Sequence, residues 1–205
     1  MSKRITKEEI DRFHDYGLYV PTRTIDISSE EEDPEHGESG TDSAMSKRAV
    51  KNLHILDNAS SEPITVIMNN PGGDIANGMA IYDAIKKCKS HVTVIGTGSI
   101  CSMGTLIIQA ADKRVLTPSA IFMIHHGYDK HDNHVKTIRN WVKFQEKWDK
   151  KLNEIYFQKI LEKHADFTRS KLDKMLDFDS IMFADEAVAL GLADEVEEYD
   201  EVIAK

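Results

Sequence analysis

Hydrophobic and polar positions fall into two kinds of block along the chain. Ile64-Thr65-Val66-Ile67-Met68 and Val92-Thr93-Val94-Ile95 are short β-branched runs, each stopped by a glycine-bearing turn, and they predict buried strands. Arg114-Val115-Leu116 and Ala120-Ile121-Phe122-Met123-Ile124 read the same way, and Arg23 to Ile27 alternates like a strand. Between these blocks the period changes to that of a helix. Val50, Leu53, His54 and Leu56 predict a helix from about Ala44 to Asn58, and Ile75, Met79, Tyr82 and Ile85 one opened by Asp74. Ser102 to Asp112 predicts another. Strands alternating with helices imply parallel βαβ units, hence an α/β domain.

The remainder of the chain is patterned differently. Asn133 to Lys163 contains neither Pro nor Gly, so one helix of about 46 Å is expected there. Its seam, Ile138, Trp141, Gln145, Trp148, Leu152, Ile155 and Lys159, is widened by Val142, Phe144, Tyr156, Phe157 and Ile160. A rod longer than a small domain is expected to project from it and leave apolar surface for another subunit to cover, the alternative being a helix folded across its own sheet. Ser170 to Leu176 and Asp185 to Leu190, closed by Gly191, are shorter helices, and Ala193 to Val196 closes the chain as a strand. Ahead of the first unit, Thr6 to Tyr16 forms a helix with Thr6 as N-cap and Glu9 completing a capping box.

Charge alters this picture at one place. Of the net charge of −9, all but −2 disappears when the seven acids between Glu30 and Asp42 are removed. That stretch holds no Lys, Arg or large apolar residue, so it is expected to be a mobile loop or linker, with an acidic lure for a basic partner as the functional alternative. An acidic chain is a poor partner for nucleic acid or an anionic membrane. No apolar run approaches the ~20 residues needed to cross a bilayer. The first residues lead into charge rather than an apolar signal, and the two cysteines, Cys88 and Cys101, show no framework spacing. A cytoplasmic protein is expected.

Candidate chemistry collects at strand ends. Asn70-Pro71-Gly72-Gly73 and Gly98-Ser99-Ile100-Cys101-Ser102-Met103-Gly104 both follow strands and precede helices, so they share the sheet edge where α/β proteins bind ligands. Neither fits a nucleotide-binding fingerprint. Ser102 sits at a strand-to-helix turn, which exposes its hydroxyl at the positive end of a helix dipole, although a serine there can equally be an N-cap. His125, with His126 as its rival, reaches the same edge at the end of a strand. Asp129, His131, Asp132 and His134 crowd the following loop, at spacings that match no standard zinc site. Asp173, Asp177 and Asp179 offer acids beyond the long helix, and spacing does not choose among them.

The succession of Asn69-Asn70-Pro71-Gly72-Gly73, Gly78-Met79-Ala80-Ile81-Tyr82-Asp83, Cys101-Ser102-Met103-Gly104, Met123-Ile124-His125 and Glu186 to Asp194 resembles the proteolytic subunit of the Clp protease, from about Arg23 to Val196. The resemblance implies a crotonase/ClpP-like βαβ superhelix with a long projecting handle helix. It divides the chain into an N-terminal segment (1–22), a head domain (23–132) carrying the acidic insertion (30–42), a handle (133–164) and the rest of the head (165–205). It implies a serine endopeptidase with Ser102 as nucleophile, His125 as general base and Asp179 as orienting acid. The backbone N–H groups of Gly73 and Met103 become the oxyanion donors, and neither cofactor nor metal is needed. Polypeptide substrates, stacked heptameric rings and an AAA+ unfoldase such as ClpX or ClpA are the implied partners. Two departures stand out: Cys101 replaces the family's usual Ala, and His126-Gly127 its usual Gln-Pro. A divergent copy of this kind is compatible with a phage origin. The rival readings are a catalytically inactive ring subunit and a crotonase-type acyl-CoA enzyme.

Overall fold

A computed structural model of the chain describes residues 5–29, 32–33, 37–38, 40–127 and 134–198. Helix α1 (Lys7–Tyr16) begins at the expected capping box of Thr6 and Glu9 and ends on Gly17 in the left-handed region. Strands β1 (Leu18–Tyr19) and β2 (Thr24–Asp26) follow, then the short pair β3 (Glu32–Asp33) and β4 (Gly37–Glu38). Next come α2 (Ser43–Ala59), β5 (Ile64–Asn70), α3 (Ile75–Lys87), β6 (Val92–Cys101), α4 (Met103–Ile108), β7 (Lys113–Leu116) and β8 (Ile121–Ile124). The chain continues through α5 (Val135–Lys163), α6 (Arg169–Leu176), β9 (Ser180–Phe183), α7 (Ala184–Leu190) and β10 (Glu195–Val196).

The mixed α/β architecture is the expected one. Strands β2, β5, β6, β7 and β10 run parallel in that order, with β1 antiparallel at one edge. Ile64, Val66, Met68, Val92 and Val94 are buried on the central strands and pack with Leu53, Leu56, Met79, Ile81 and Ile85 of α2 and α3. Removing such branched side chains from water, at roughly 25 cal/mol per Å² of apolar surface, drives the layers together.

Three expectations change. Gly96-Thr97-Gly98 does not end its strand: β6 runs on to Cys101 and changes partner on one edge, pairing with β7 through Gly96 and with β8 from Ser99 to Cys101. The helix after Ser102 is shorter than expected and stops at Ile108. The acidic stretch, expected to lack secondary structure, carries the antiparallel ladder Glu32↔Glu38 and Asp33↔Gly37. Two further strands escaped the pattern, β1 and β9. The second matters more, because β9 lies antiparallel against β8 with Ile124 opposite Ser180.

Helix α5 has the predicted length but two characters. Its last turns bury Leu152, Tyr156, Phe157 and Ile160 against the domain. Its first half leaves Trp141 49% exposed, with Val142 and Phe144 similarly open. That gradient of burial marks a helix rooted in the head and leaving it.

Candidate active site

Three adjacent strands set the site. In the β6–β8 register Cys101 faces Met123, so Ser102 and His125 lie just past paired positions. In the β8–β9 register Ile124 faces Ser180, which brings Asp179 beside His125. The result is a continuous relay. His125 Nε2 lies 2.9 Å from Ser102 Oγ and its Nδ1 lies 3.0 Å from Asp179 Oδ1. An ionised carboxylate only accepts, so Nδ1 carries the proton and Nε2 is left to accept the serine hydroxyl hydrogen. The His125 side chain is 19% exposed and that of Asp179 63%.

Ser102 is held in a conformation few residues adopt. Its φ is +50°, and although it occupies the N-cap position of α4 its side chain makes no capping bond. The N-cap reading therefore fails on geometry: the hydroxyl turns to His125. The backbone is pinned at both ends. Ser102 N–H donates to Met123 O at 2.8 Å, and Ser102 O accepts from Thr105 N–H and from Thr105 Oγ1 at 2.6 Å. Thr105 Oγ1 in turn lies 2.5 Å from Tyr156 Oη. Since the threonine has spent its proton, the tyrosine donates. Tyr156 is buried, and burial pushes its phenol above the ordinary range, with the Thr105 bond opposing in part.

The glycine loop packs directly on this turn. Gly72 and Gly73 have φ of +117° and +132°, and a Cβ on Gly72 would stand 2.7 Å from Ser102 Cβ, so no other residue fits there. Gly72 N–H is taken by Asn70 Oδ1 and Asp74 N–H by Thr41 O. Among the described residues, the N–H groups of Gly73 and Met103 make no hydrogen bond. Both border the same cleft as Ser102 and His125. A hydroxyl, a base and two unspent amides in one place can attack a carbonyl and hold the resulting oxyanion.

The cleft has a volume of about 450 Å³. Ile75, Leu106, Leu152 and Tyr156 form apolar wall, and Asp149 and Asn153 of α5 add polar groups. His126 lines it too, but its backbone N–H goes to Leu176 O and the ring that meets Ser102 is that of His125. Asp177 caps α6 and Asp173 lies within that helix, so of the three candidate acids only Asp179 meets the imidazole. Of the Asp and His residues that crowd the loop after His126, Asp129, His131 and Asp132 lie outside the described residues. His134 caps α5, accepting from Lys136 N–H.

Comparison with known proteins identifies the family. The Clp protease family model matches residues 37–200. The chain belongs to the Clp protease family. It is 33% identical over 163 residues to the ATP-dependent Clp protease proteolytic subunit 2 of Pseudomonas aeruginosa, covering 77% of each chain. It is 32% identical over 158 residues to the ATP-dependent Clp protease proteolytic subunit of Deinococcus radiodurans, covering 76% of this chain and 75% of that one. The Clp family match begins inside the acidic stretch, at Gly37, and takes in every residue of the relay. Sequence reasoning had no signal for two residues that support this candidate site. Thr105 and Tyr156 read as ordinary helix positions, and only the fold brings them under Ser102.

Proposed function

We infer that the chain is a serine-type endopeptidase that hydrolyses peptide bonds, with Ser102, His125 and Asp179 as its catalytic residues. The observation that carries this reading is the relay itself, with bonds of 2.9 and 3.0 Å joining hydroxyl, imidazole and carboxylate. His125 removes the Ser102 proton as Oγ attacks the substrate carbonyl carbon, and Asp179 holds the imidazole in the required tautomer. The Gly73 and Met103 amides receive the oxyanion, a contribution of about 3 kcal/mol for one donor. His125 then passes its proton to the leaving amine, and water repeats the cycle on the acyl-enzyme. A crotonase-type acyl-CoA enzyme has no use for this relay, and an inactive ring subunit has no need of it.

The reading extends to assembly in the cytoplasm as a barrel of stacked rings fed by an AAA+ unfoldase. It draws support from apolar surface that one chain leaves open. The outer face of β8 and β9 presents Ile121, Met123, Ile181 and Phe183, and Phe178 beside it is 81% exposed. Together with the half-exposed Val142 and Phe144 of α5, in the proposed handle (133–164), these patches are apolar surface of the kind that a partner subunit covers. Among the described residues no helix is long and apolar enough to cross a membrane.

A fluorophosphonate probe tests the chemistry. Ser102 in the assembled protein is expected to be labelled and His125→Ala to abolish labelling. A wild-type protein that assembles yet stays unlabelled would overturn the assignment.

A further inference from the structure

The acidic stretch leaves and rejoins the fold beside the glycine loop. On its way out, Ser29 N–H donates to Asn69 O at 2.9 Å, and Asn69 N–H donates to Ser28 Oγ at 3.2 Å. On its return, Thr41 pairs in parallel with Gly73, its N–H donating to Gly72 O and its O accepting from Asp74 N–H at 2.8 Å. These two bonds grip the peptides on either side of Gly73 and leave the Gly73 N–H facing the cleft unspent. The Thr41 side chain grips the loop a second time. Asn70 Nδ2 donates to Thr41 Oγ1 at 2.9 Å, Thr41 Oγ1 lies 3.2 Å from Asn70 Oδ1, and that same Oδ1 accepts Gly72 N–H at 2.8 Å. Thr41 and Asn70 are both buried.

We propose that Thr41, at the root of the acidic insertion, is a positioning residue that fixes the Gly73 N–H where the oxyanion forms. The inference rests on the serine peptidase reading and goes beyond it, because the bonds of Thr41 run to Asn70, Gly72 and Asp74 and not to the relay. Its logic is geometric. A donor stabilises an oxyanion only where it is already aimed, and a displacement of about 1 Å near the reacting centre can cost on the order of 100-fold in rate. Gly72 and Gly73 have no side chains with which to hold themselves, and their φ values are ones a free loop abandons easily. The strap that passes over them supplies the missing restraint. It also fits them closely: a Cβ on Gly40 would stand 2.1 Å from Gly72 O.

Three variants test this. Thr41→Val removes the link to Asn70, Gly40→Ala pushes on the loop through Gly72 O, and Thr41→Ser keeps the hydroxyl. Turnover of a fluorogenic peptide should fall about tenfold in kcat for the first two, with KM within about twofold of wild type and Thr41→Ser close to wild type. Affinity for a matching peptidyl trifluoromethyl ketone, whose adduct carries the oxyanion, should fall in step with kcat. Folded variants with unchanged kcat and ketone affinity would overturn the proposal. So would a loss confined to KM, or a loss that simply follows unfolding, since either reduces the strap to a structural element. A wild-type protein lacking Ser102-dependent turnover would instead sink the peptidase reading.

Discussion

His125 Nδ1 sits 3.0 Å from Asp179 Oδ1, although 54 positions separate the two residues in the chain. The pairing is a consequence of strand register, not of sequence proximity, and it is one of two bonds that aim the imidazole at Ser102. Asp179→Asn keeps the shape but lets the amide donate to Nδ1, which favours the tautomer with its proton on Nε2. Peptidase kcat should fall by roughly 10³-fold or more, while circular dichroism stays that of the wild type. A loss smaller than about tenfold would show that the carboxylate does not set the tautomer.

The cleft beside Ser102 predicts a preference. Among the described residues, Asp149 is the only carboxylate that lines the cleft. The contact described for it is a hydrogen bond from Gln145 Nε2 at 3.0 Å. A substrate side chain with an apolar stem and a cationic tip can lie on Leu106 and Leu152 and reach that charge. In a fluorogenic series, Lys or Arg beside the scissile bond should be preferred over Glu, and Asp149→Lys should shrink that ratio roughly fivefold or more with Leu peptides little changed. An unchanged ratio in the variant refutes the assignment.

Helix α5 carries the prediction for assembly. Trp141 is half exposed and lies on the part of the helix that leaves the domain, so Trp141→Lys should spare the fold and weaken the proposed contact between rings. Sedimentation velocity should show smaller particles than the wild type at the same concentration. A sedimentation coefficient identical to the wild type would place the contact elsewhere.

Stability in acid should depend on Asp194. Partial burial alone would raise this carboxyl, but two side-chain hydrogen bonds from Arg114, together with the Arg114 N–H, hold it below the ordinary carboxylate range. A carboxyl lowered in the folded state contributes stability above its unfolded value, and the contribution is lost as pH falls through the folded one. Because Arg114 is buried, Asp194→Asn should cost about 2 kcal/mol at pH 7, discounted for the partial exposure of the carboxylate. Urea midpoints of variant and wild type should converge below about pH 4. A gap that stays constant down to pH 3 would refute the linkage.

How much of this was written in the sequence differs from element to element. Strands β5 and β6 announced themselves because buried parallel strands are unbroken β-branched runs. Helix α5 did so because thirty-odd residues without Pro or Gly leave little else to form. The choice of Asp179 over Asp173 and Asp177 was not legible from spacing. It depends on β9, whose Ser180-Ile181-Met182-Phe183 is short and turns Ile181 and Phe183 outward with only Met182 packed on the core, so the run of apolar residues in the sequence does not betray it. The role of Thr41 was hidden for another reason. Its bonds to Gly72 and Asp74 are made by main-chain atoms, which every residue type has, and it stands among acids that read as a solvated loop.

The hydroxyl of Tyr156 has a use beyond filling the core. It ties the buried root of α5 to Thr105, and Thr105 to the carbonyl of Ser102. A rod anchored at one end pivots there, and here the pivot is bolted to the turn that carries the proposed nucleophile. Any twist deep enough to move its foot either snaps that bolt or tilts Ser102.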